Sequence, residues 1–447
     1  MGSEPFRIEH DSMGEVRVPS DALYGAQTQR AVENFAVGPH RFQLPLIKAL
    51  ALVKACAARV NADLGLLPRE LAIAIERAAT AIAEGARYEQ FVVNVFQTGS
   101  GTSTNMNANE VIGRLANAHP NDHVNRSQSS NDVIPSAIHI AAAVEIRGQL
   151  LPALELLSVA LENRAAAFRD VMKIGRTHLQ DATPMRLGQE FSGYTHQVRS
   201  CAERLTLALD GIYELPLGGT AVGTGVNAPP GFAERTIALV AERTGLPFRE
   251  ARNHFEAQAA KDAVSFLSGA LKTCAVALTK IANDIRWLGS GPRGGLGEIR
   301  LPELQPGSSI MPGKVNPVIP ESLLMICAQV IGHDATITWG CAMGNFELNV
   351  MMPVIAYDLL DSIELLSAGV RNFTLRCVNG IEANREKTGA LVEQSLAMAT
   401  ALTPEIGYDR AAAIAKEAYE TGRTVREVAI EKSGLSAEKI AELLRFD

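Results

Sequence analysis

The feature that most limits how this 447-residue chain can fold is the apolar pattern between residues 254 and 288. Ala263, Phe266, Ala270, Cys274, Ala277, Ile281, Ile285 and Leu288 recur at steps of three and four. That period marks one face of an α-helix. At 1.5 Å per residue the helix would run to ~50 Å. A stripe of that length cannot be buried within a small compact globule. It needs a bundle of comparable helices, and other copies of the chain. Long apolar patterns also occupy 133–168, 184–213, 318–340 and 346–375, with a kink expected at Pro152. Shorter helices are expected at 46–64 and 68–84, each with a proline where a helix start tolerates it. Residues 1–45 read as irregular, with a short strand at 16–18. From 380 onward the helices are small and end at Gly407, Gly422 and Gly434, and Ser436 is the expected N-cap of the last. The pattern therefore changes near 131 and again near 380. It divides the chain into 1–130, a long-helix region 131–379, and a small helical C-terminal part 380–447.

Composition agrees with a mainly α fold. Aromatic residues are 5% of the chain, and alanine and leucine dominate, which favours closely packed helices over a β-sandwich. The net charge of −7 is spread over interspersed acidic and basic residues. No basic stripe suggests nucleic acid, and no basic amphipathic stretch suggests a membrane surface. Cys56, Cys201, Cys274, Cys327, Cys341 and Cys377 lack metal-ligand spacing. They read as reduced core thiols, which places the chain in a reducing compartment, the cytoplasm. Met-Gly-Ser-Glu-Pro-Phe at the start carries no apolar segment, so no signal peptide is expected. No apolar run is expected to reach membrane-spanning length.

Four polar stretches interrupt the helices: 98–107, 119–132, 173–183 and 307–317. Each is rich in serine, threonine, asparagine or glycine, and none contains a metal-ligand cluster or a cofactor motif. In 98–107, Ser100, Gly101 and Thr102 precede a helix entered at Asn109-Glu110. That run serves equally as a polar capping loop or as a carboxylate cradle. In 119–132, Asp132 or Asn131 suits a helix cap, which leaves Ser129, Ser130 and Asn131 as candidate contacts. His178 in 173–183 is the best general base, since imidazole titrates near neutrality. The alternative is a histidine that caps the next helix. Glu321 is its candidate partner, fixing the tautomer and raising basicity. In 307–317, glycine and proline exclude a helix or central strand. Lys314, Asn316 and loop N–H groups could face an anion, or the stretch could be a plain surface turn. A set of hydroxyls, amides, one lysine and one histidine suits proton transfer on a small dianion better than redox chemistry. Two glycine-rich stretches are rejected as nucleotide sites. Gly218–Gly225 lacks a Gly-Lys-Ser/Thr ending, and Gly289-Ser-Gly-Pro-Arg-Gly294 follows a helix and contains Pro292.

The run Gly307-Ser-Ser-Ile-Met-Pro-Gly-Lys-Val-Asn-Pro317 resembles the signature of the fumarase/aspartase superfamily. Thr98-Gly99-Ser100, Ser129-Ser130-Asn131 and Thr177-His178-Leu179-Gln180-Asp181 resemble the class II, iron-independent fumarate hydratases. The resemblance runs from about residue 7 to 435. It implies a three-domain fold around a central bundle of long helices. It also implies a homotetramer with active sites shared between subunits, a small dicarboxylate substrate, and no cofactor or metal. The reaction implied is reversible anti addition of water to fumarate, giving L-malate, a step of the tricarboxylic acid cycle. By resemblance His178, Ser308 and Glu321 are catalytic, with Ser308 the base at carbon. Ser100, Gly101, Thr102, Ser129, Ser130, Asn131, Thr177, Ser309, Lys314, Val315 and Asn316 bind substrate. His119, Pro120, Asn121 and Asp122 resemble a second, non-catalytic dicarboxylate site, although Ala116 stands where some members have arginine. The rival enzyme reading is aspartate ammonia-lyase, which carries glutamine at the position of His178. The rival of another class is a catalytically dead helical scaffold.

Overall fold

A computed structural model describes residues 5–445; the expectation about a signal peptide concerns residues that lie in part outside that range. The fold is mainly helical. Within the stretch 1–45 expected to be irregular, the described residues 5–45 are more ordered than their composition suggested. Strands β1 (Phe6–Asp11) and β2 (Gly14–Pro19) form an antiparallel hairpin, and helix α1 (Ala26–Asn34) follows. Helices α2 (Leu44–Asp63), α3 (Arg69–Ala83) and α4 (Thr102–Ala116) come next, within two residues of expectation for the first two. Helix α1 has no side-chain cap of its own. Its first N–H groups, on Gln27 and Thr28, donate instead to the Glu110 carboxylate of α4, at 2.9 and 3.1 Å. An anion at a helix N-terminus offsets both the orphan donors and the dipole.

Helix α5 (Ser130–Glu145) leads into a π-helical turn at Ile146–Leu150 and then α6 (Leu151–Ala167). That turn sits where a kink was expected at Pro152. A proline has no N–H to continue the ladder, so the turn before it widens. A hairpin of β3 (Met172–Thr177) and β4 (Gln180–Arg186) precedes α7 (Leu187–Ile212). After α8 (Phe232–Thr244) the expected 254–288 helix is broken into α9 (His254–Ala259) and α10 (Asp262–Leu288). The break has a visible cause. Buried Lys261 donates to the carbonyls of Ala257, Gln258 and Ala260 at 2.8–2.9 Å. Those carbonyls end α9, and the ammonium terminates it where the sequence pattern ran on.

The buried stripe of α10 also differs from the one expected. Val264, Leu267, Leu271, Leu278 and Ala282 are buried with Ala270, Cys274, Ile281, Ile285 and Leu288. Phe266 is 57% exposed, and Val276 and Trp287 are exposed with it. The helix carries two apolar stripes, and periodicity cannot tell which one a single chain buries. By length and composition α10 reaches the span of a membrane helix, contrary to expectation, with half of its most apolar window buried in the protein. Lys272, Lys280 and Asp284 on the same helix form ion pairs, which suits a packed helix better than a lipid-facing one.

Helices α11 (Val318–Ala342) and α12 (Met352–Arg376) complete the long set. Five short helices follow: α13 (Arg385–Gln394), α14 (Thr403–Ile406), α15 (Tyr408–Thr421), α16 (Val425–Lys432) and α17 (Ala437–Leu443). Gly407, Gly422 and Gly434 have φ of 80°, 69° and 78° at or just past helix ends, and Ser436 caps α17, all as expected. Met398, Leu402, Ile414, Val428 and Ile440 belong to a core cluster of this segment. Cys56, Cys201, Cys274, Cys327 and Cys377 are buried, and Cys341 is half-buried.

The chain divides into two compact units, one of 1–152, 201–275 and 326–367, the other of 153–200, 276–325 and 368–447. In the first unit α2 is largely buried, and Lys54 is buried with it. Burial pushes Lys54 down to about 7 and Lys261 down to about 8. Both lysines therefore hold fewer protons folded than unfolded between their folded values and the ordinary 10.5. Stability then rises with pH in that window, by about 1.4 kcal/mol per pH unit for each fully released proton. The expected result is a melting temperature that climbs between pH 7 and 9, and climbs less in Lys54→Met. Equal slopes for the two proteins would count against a titrating Lys54.

Candidate active site

Two helix N-termini meet in the first unit. Helix α4 begins at Thr102, two turns earlier than expected. It starts behind Gly101, whose φ is 75°, with no side-chain cap. A Cβ on Gly101 would lie 2.9 Å from Ile134, so the close approach of α5 requires glycine there. The Ser100 and Thr102 hydroxyls share a hydrogen bond of 2.7 Å. Helix α5 is capped by Ser129, not by Asp132 or Asn131. Asn131 N donates to Ser129 Oγ, and Ser129 N donates to Asp132 Oδ1 at 2.9 Å, closing a capping box. Asp132 Oδ2 accepts from Gly218 N and Thr220 N at 2.9 and 3.0 Å. Asn131 Nδ2 donates to Ala221 O at 2.8 Å. The glycine-rich 218–225 stretch is thus an anchor for 129–132. Ser130 is buried, and Asn105 Nδ2 donates to its Oγ at 3.2 Å. That bond joins the first turns of α4 and α5. Thr104 N of α4 donates to Gln97 Oε1 at 2.9 Å; hydroxyls, amides and the remaining helix-start N–H groups so arranged favour a carboxylate without adding a formal charge.

His119, Pro120 and Asn121 line a cavity of about 740 Å³ in the same unit. His119 caps a π-turn at Pro120–Val124, its Nδ1 accepting from Asp122 N at 3.0 Å. Asp122 is exposed and lies 3.3 Å from that ring. Ala116 brings no guanidinium, but Arg7 and Arg114 line the cavity. Arg7 is already held by the carbonyls of Pro19, Ala22 and Tyr24.

The second unit holds the remaining candidates. Thr177 pairs with Gln180 across the β3–β4 turn. His178 and Leu179 occupy its centre with φ of 57° and 60°. Two positive φ values make this a mirror-type hairpin turn, which asparagine and glycine normally fill. Histidine and leucine there cost about 1–3 kcal/mol each in backbone strain. All four turn residues are exposed. The hairpin's base is held from within. Arg176 makes a two-pronged pair with buried Glu298 at 2.9 and 3.1 Å. Buried Lys173 lies 3.3 Å from Glu190 and 3.8 Å from Glu298, and donates to Ile174 O. Burial raises the Glu190 carboxyl, partly offset by Lys173.

Ser308, Ser309, Lys314, Val315 and Asn316 share one braced loop. Gly307 N donates to Lys314 O at 2.7 Å, and Asn316 Nδ2 donates to Gly307 O at 2.8 Å. The loop therefore has internal ties that the sequence did not suggest, and the Asn316 amide N–H is engaged in one of them. A Cβ on Gly307 would meet Lys314 O at 2.8 Å, so this closure needs glycine. Ser308 Oγ accepts from Ile310 N and Met311 N at 3.2 and 3.0 Å. Two N–H donors on one oxygen favour its ionised form. Ser309, Lys314 and Val315 are exposed. Glu321 is half-buried in the first turn of α11. Among the described residues no ion pair joins His178 to Glu321, the pairing expected from the sequence.

Lys54, Asn105, Asn125, Arg176 and Glu298 escaped the sequence reading. The signal available for Lys54 was an ammonium inside the apolar run Ala-Leu-Val-Lys-Ala-Cys-Ala. Arg176 and Glu298 lie 122 positions apart and give no local sign of their pairing.

The chain matches the lyase family model over residues 14–332 and the fumarase C C-terminus model over 398–447. It is 52% identical to a class II fumarate hydratase of Thermosynechococcus vestitus, over 99% of this chain and 97% of that protein. It is also 52% identical to the mitochondrial fumarate hydratase 1 of Arabidopsis thaliana, over 99% of this chain and 92% of that protein. The solved class II fumarase of Schistosoma mansoni superposes with a TM-score of 0.96 at 41% identity, covering 98% of each chain. With family models and full-length relatives in agreement, the chain belongs to the class II fumarate hydratases of the lyase superfamily.

Proposed function

We propose that this chain catalyses the reversible anti addition of water to fumarate, giving L-malate, as a hydro-lyase of the tricarboxylic acid cycle. The observation that carries this reading is the meeting of α4 and α5. Their N-termini offer a dianion hydroxyls, amides and backbone N–H groups in one place. Ser100–Thr102 and Ser129–Asn131 bind one carboxylate. Lys314, with the N–H groups of its loop, meets the charge that develops when a proton leaves the carbon beside a carboxylate. Ser308 takes that proton, aided by the two N–H donors on its oxygen. His178 activates or protonates the water. Its pairing with Glu321 is assigned to contact between copies, since among the described residues no ion pair joins the two within one chain. His119, Pro120, Asn121 and Asp122 form the second dicarboxylate site, beside Arg114, whose guanidinium lies 3.5 Å from the Glu9 carboxylate in the resting chain. The assembly is a homotetramer with mixed active sites, in the cytoplasm. The C-terminal core cluster supports a separate domain at 380–447 alongside 1–130 and 131–379.

The test of function is fumarate absorbance with L-malate and then with L-aspartate as substrate. Fumarate from malate alone supports hydration and lyase action on the hydroxy acid. Fumarate from aspartate would make the chain an ammonia-lyase, and fumarate from neither would make it a scaffold.

The tetramer carries its own expected result. Trp287 and Trp339 are the chain's two tryptophans, and in one copy they are 53% and 67% exposed. Phe266, Met325 and Leu207 on the long helices are exposed as well. Large apolar side chains left wet in this way favour burial against other copies. Light scattering should give four chains, with tryptophan emission blue-shifted relative to dissociated protein. A stable monomer at micromolar concentration, with water-like emission, would refute it.

A further inference from the structure

We propose that Lys54 is a positioning residue for the dicarboxylate cradle: from inside α2 it fixes the Asn125 amide, and through Asn105 it sets the Ser130 hydroxyl. The inference rests on the proposed role of Ser129–Asn131. Lys54 is 0% exposed. Its Nζ donates to Asn125 Oδ1 at 2.9 Å. Asn105 Nδ2 and Asn109 Nδ2 converge on the same oxygen, each at 3.2 Å. Asn125 Nδ2 donates to Gln128 O at 3.2 Å, so the amide is tied to the residue just before Ser129. Asn105 Nδ2 completes the chain at Ser130 Oγ.

One position supports another. Asn61 lies seven residues after Lys54, on the same face of α2. Its Nδ2 donates to Arg126 O at 3.0 Å, and its Oδ1 accepts from Ser127 Oγ at 2.8 Å. Lys54 and Asn61, the buried polar side chains of α2, are therefore aimed at residues 125–127, which lead into the cradle.

Stability does not explain this lysine. A buried ammonium is costly, and an apolar residue of similar volume commonly does better. Asp132 is the charge that acts on it, and that carboxylate is itself held by N–H groups of Ser129, Gly218 and Thr220. Asn105 Oδ1 and Asn109 Oδ1 are buried without a partner in the same network. Burial lowers the proton affinity of Lys54, so a dianion bound nearby would also favour its charged form.

The experiment compares wild type, Lys54→Met, Asn105→Ala and Ser130→Ala as purified assemblies. The readouts are kcat and KM for L-malate, succinate affinity by calorimetry, and melting temperature. Lys54→Met should keep or raise the melting temperature. It should weaken succinate binding and raise KM by about ten- to a hundredfold, with a smaller change in kcat. Asn105→Ala should do the same, and the double variant should fall short of the product of the two effects, because both cut one chain. A purely structural lysine would change melting temperature and leave KM and succinate affinity alone; that result overturns the proposal. Should Lys54→Met fail to fold, unchanged succinate affinity in Asn105→Ala overturns it instead. Ser130→Ala separates the two levels. If it leaves KM and affinity unchanged, the cradle reading fails and this inference with it. If Ser130→Ala weakens binding while Lys54→Met and Asn105→Ala do not, the cradle stands and this inference alone falls.

Discussion

Replacing His178 with asparagine is expected to cut hydratase turnover by about 10²–10⁴-fold, the usual contribution of a general acid–base group, without weakening the fold. The two halves of this expectation come from one observation. His178 stands at φ 57°, in a turn whose central positions favour asparagine and glycine. Asparagine relieves the strain that histidine bears, so the hairpin should be at least as stable. Its base is unaffected, because Arg176, Lys173, Glu190 and Glu298 hold the strands below the turn. A strained residue exposed at a hairpin tip makes sense where function holds it there. The measurement is initial rate against melting temperature for the purified variant. Turnover near wild type, in a protein of unchanged stability, would remove His178 from the mechanism.

Ser308→Ala should lose turnover on a similar or larger scale while still binding a competitive dicarboxylate. In the proposed mechanism Ser308 acts on the carbon-bound proton, so its contribution should lie mainly in the transition state. The substitution also removes the acceptor for Ile310 N and Met311 N, loosening one turn of the loop. Gly307 N to Lys314 O and Asn316 Nδ2 to Gly307 O remain, so the loop's closure should survive. Lys314→Ala should differ in kind. In the proposed site it meets charge already present on the substrate, so binding should weaken along with rate. Calorimetry with succinate and initial rates separate the two. The loop is expected to close over bound dicarboxylate as a braced unit, excluding water from the carbanion. If Ser308→Ala turns over normally, the base lies elsewhere and the loop is a lid.

Much of the architecture was legible because helix periodicity is local. The runs at 46–64, 68–84 and 318–340 each became a helix with small shifts at the ends, whereas the helix expected from 346 begins only at Met352, behind a short hairpin at 344–349. Gly407, Gly422, Gly434 and Ser436 marked helix boundaries because positive φ and N-capping are properties of single residues. The family was legible from the polar interruptions, whose residue types are tied to chemistry more than to packing. What the spacing could not supply were choices among locally equivalent options. Both apolar stripes of α10 have helical period, and packing decided that Val264 and Leu267 go inside while Phe266 stays out. Ser129, Asn131 and Asp132 can each cap a helix; Asp132 became the third helical residue once its other oxygen met Gly218 and Thr220. Lys54 and Asn125 are 71 positions apart, and Arg176 and Glu298 are 122 apart. Burying one such group demands a partner, but only the folded chain decides which distant residue arrives, because that depends on how helices and strands pack and not on the spacing within any one of them.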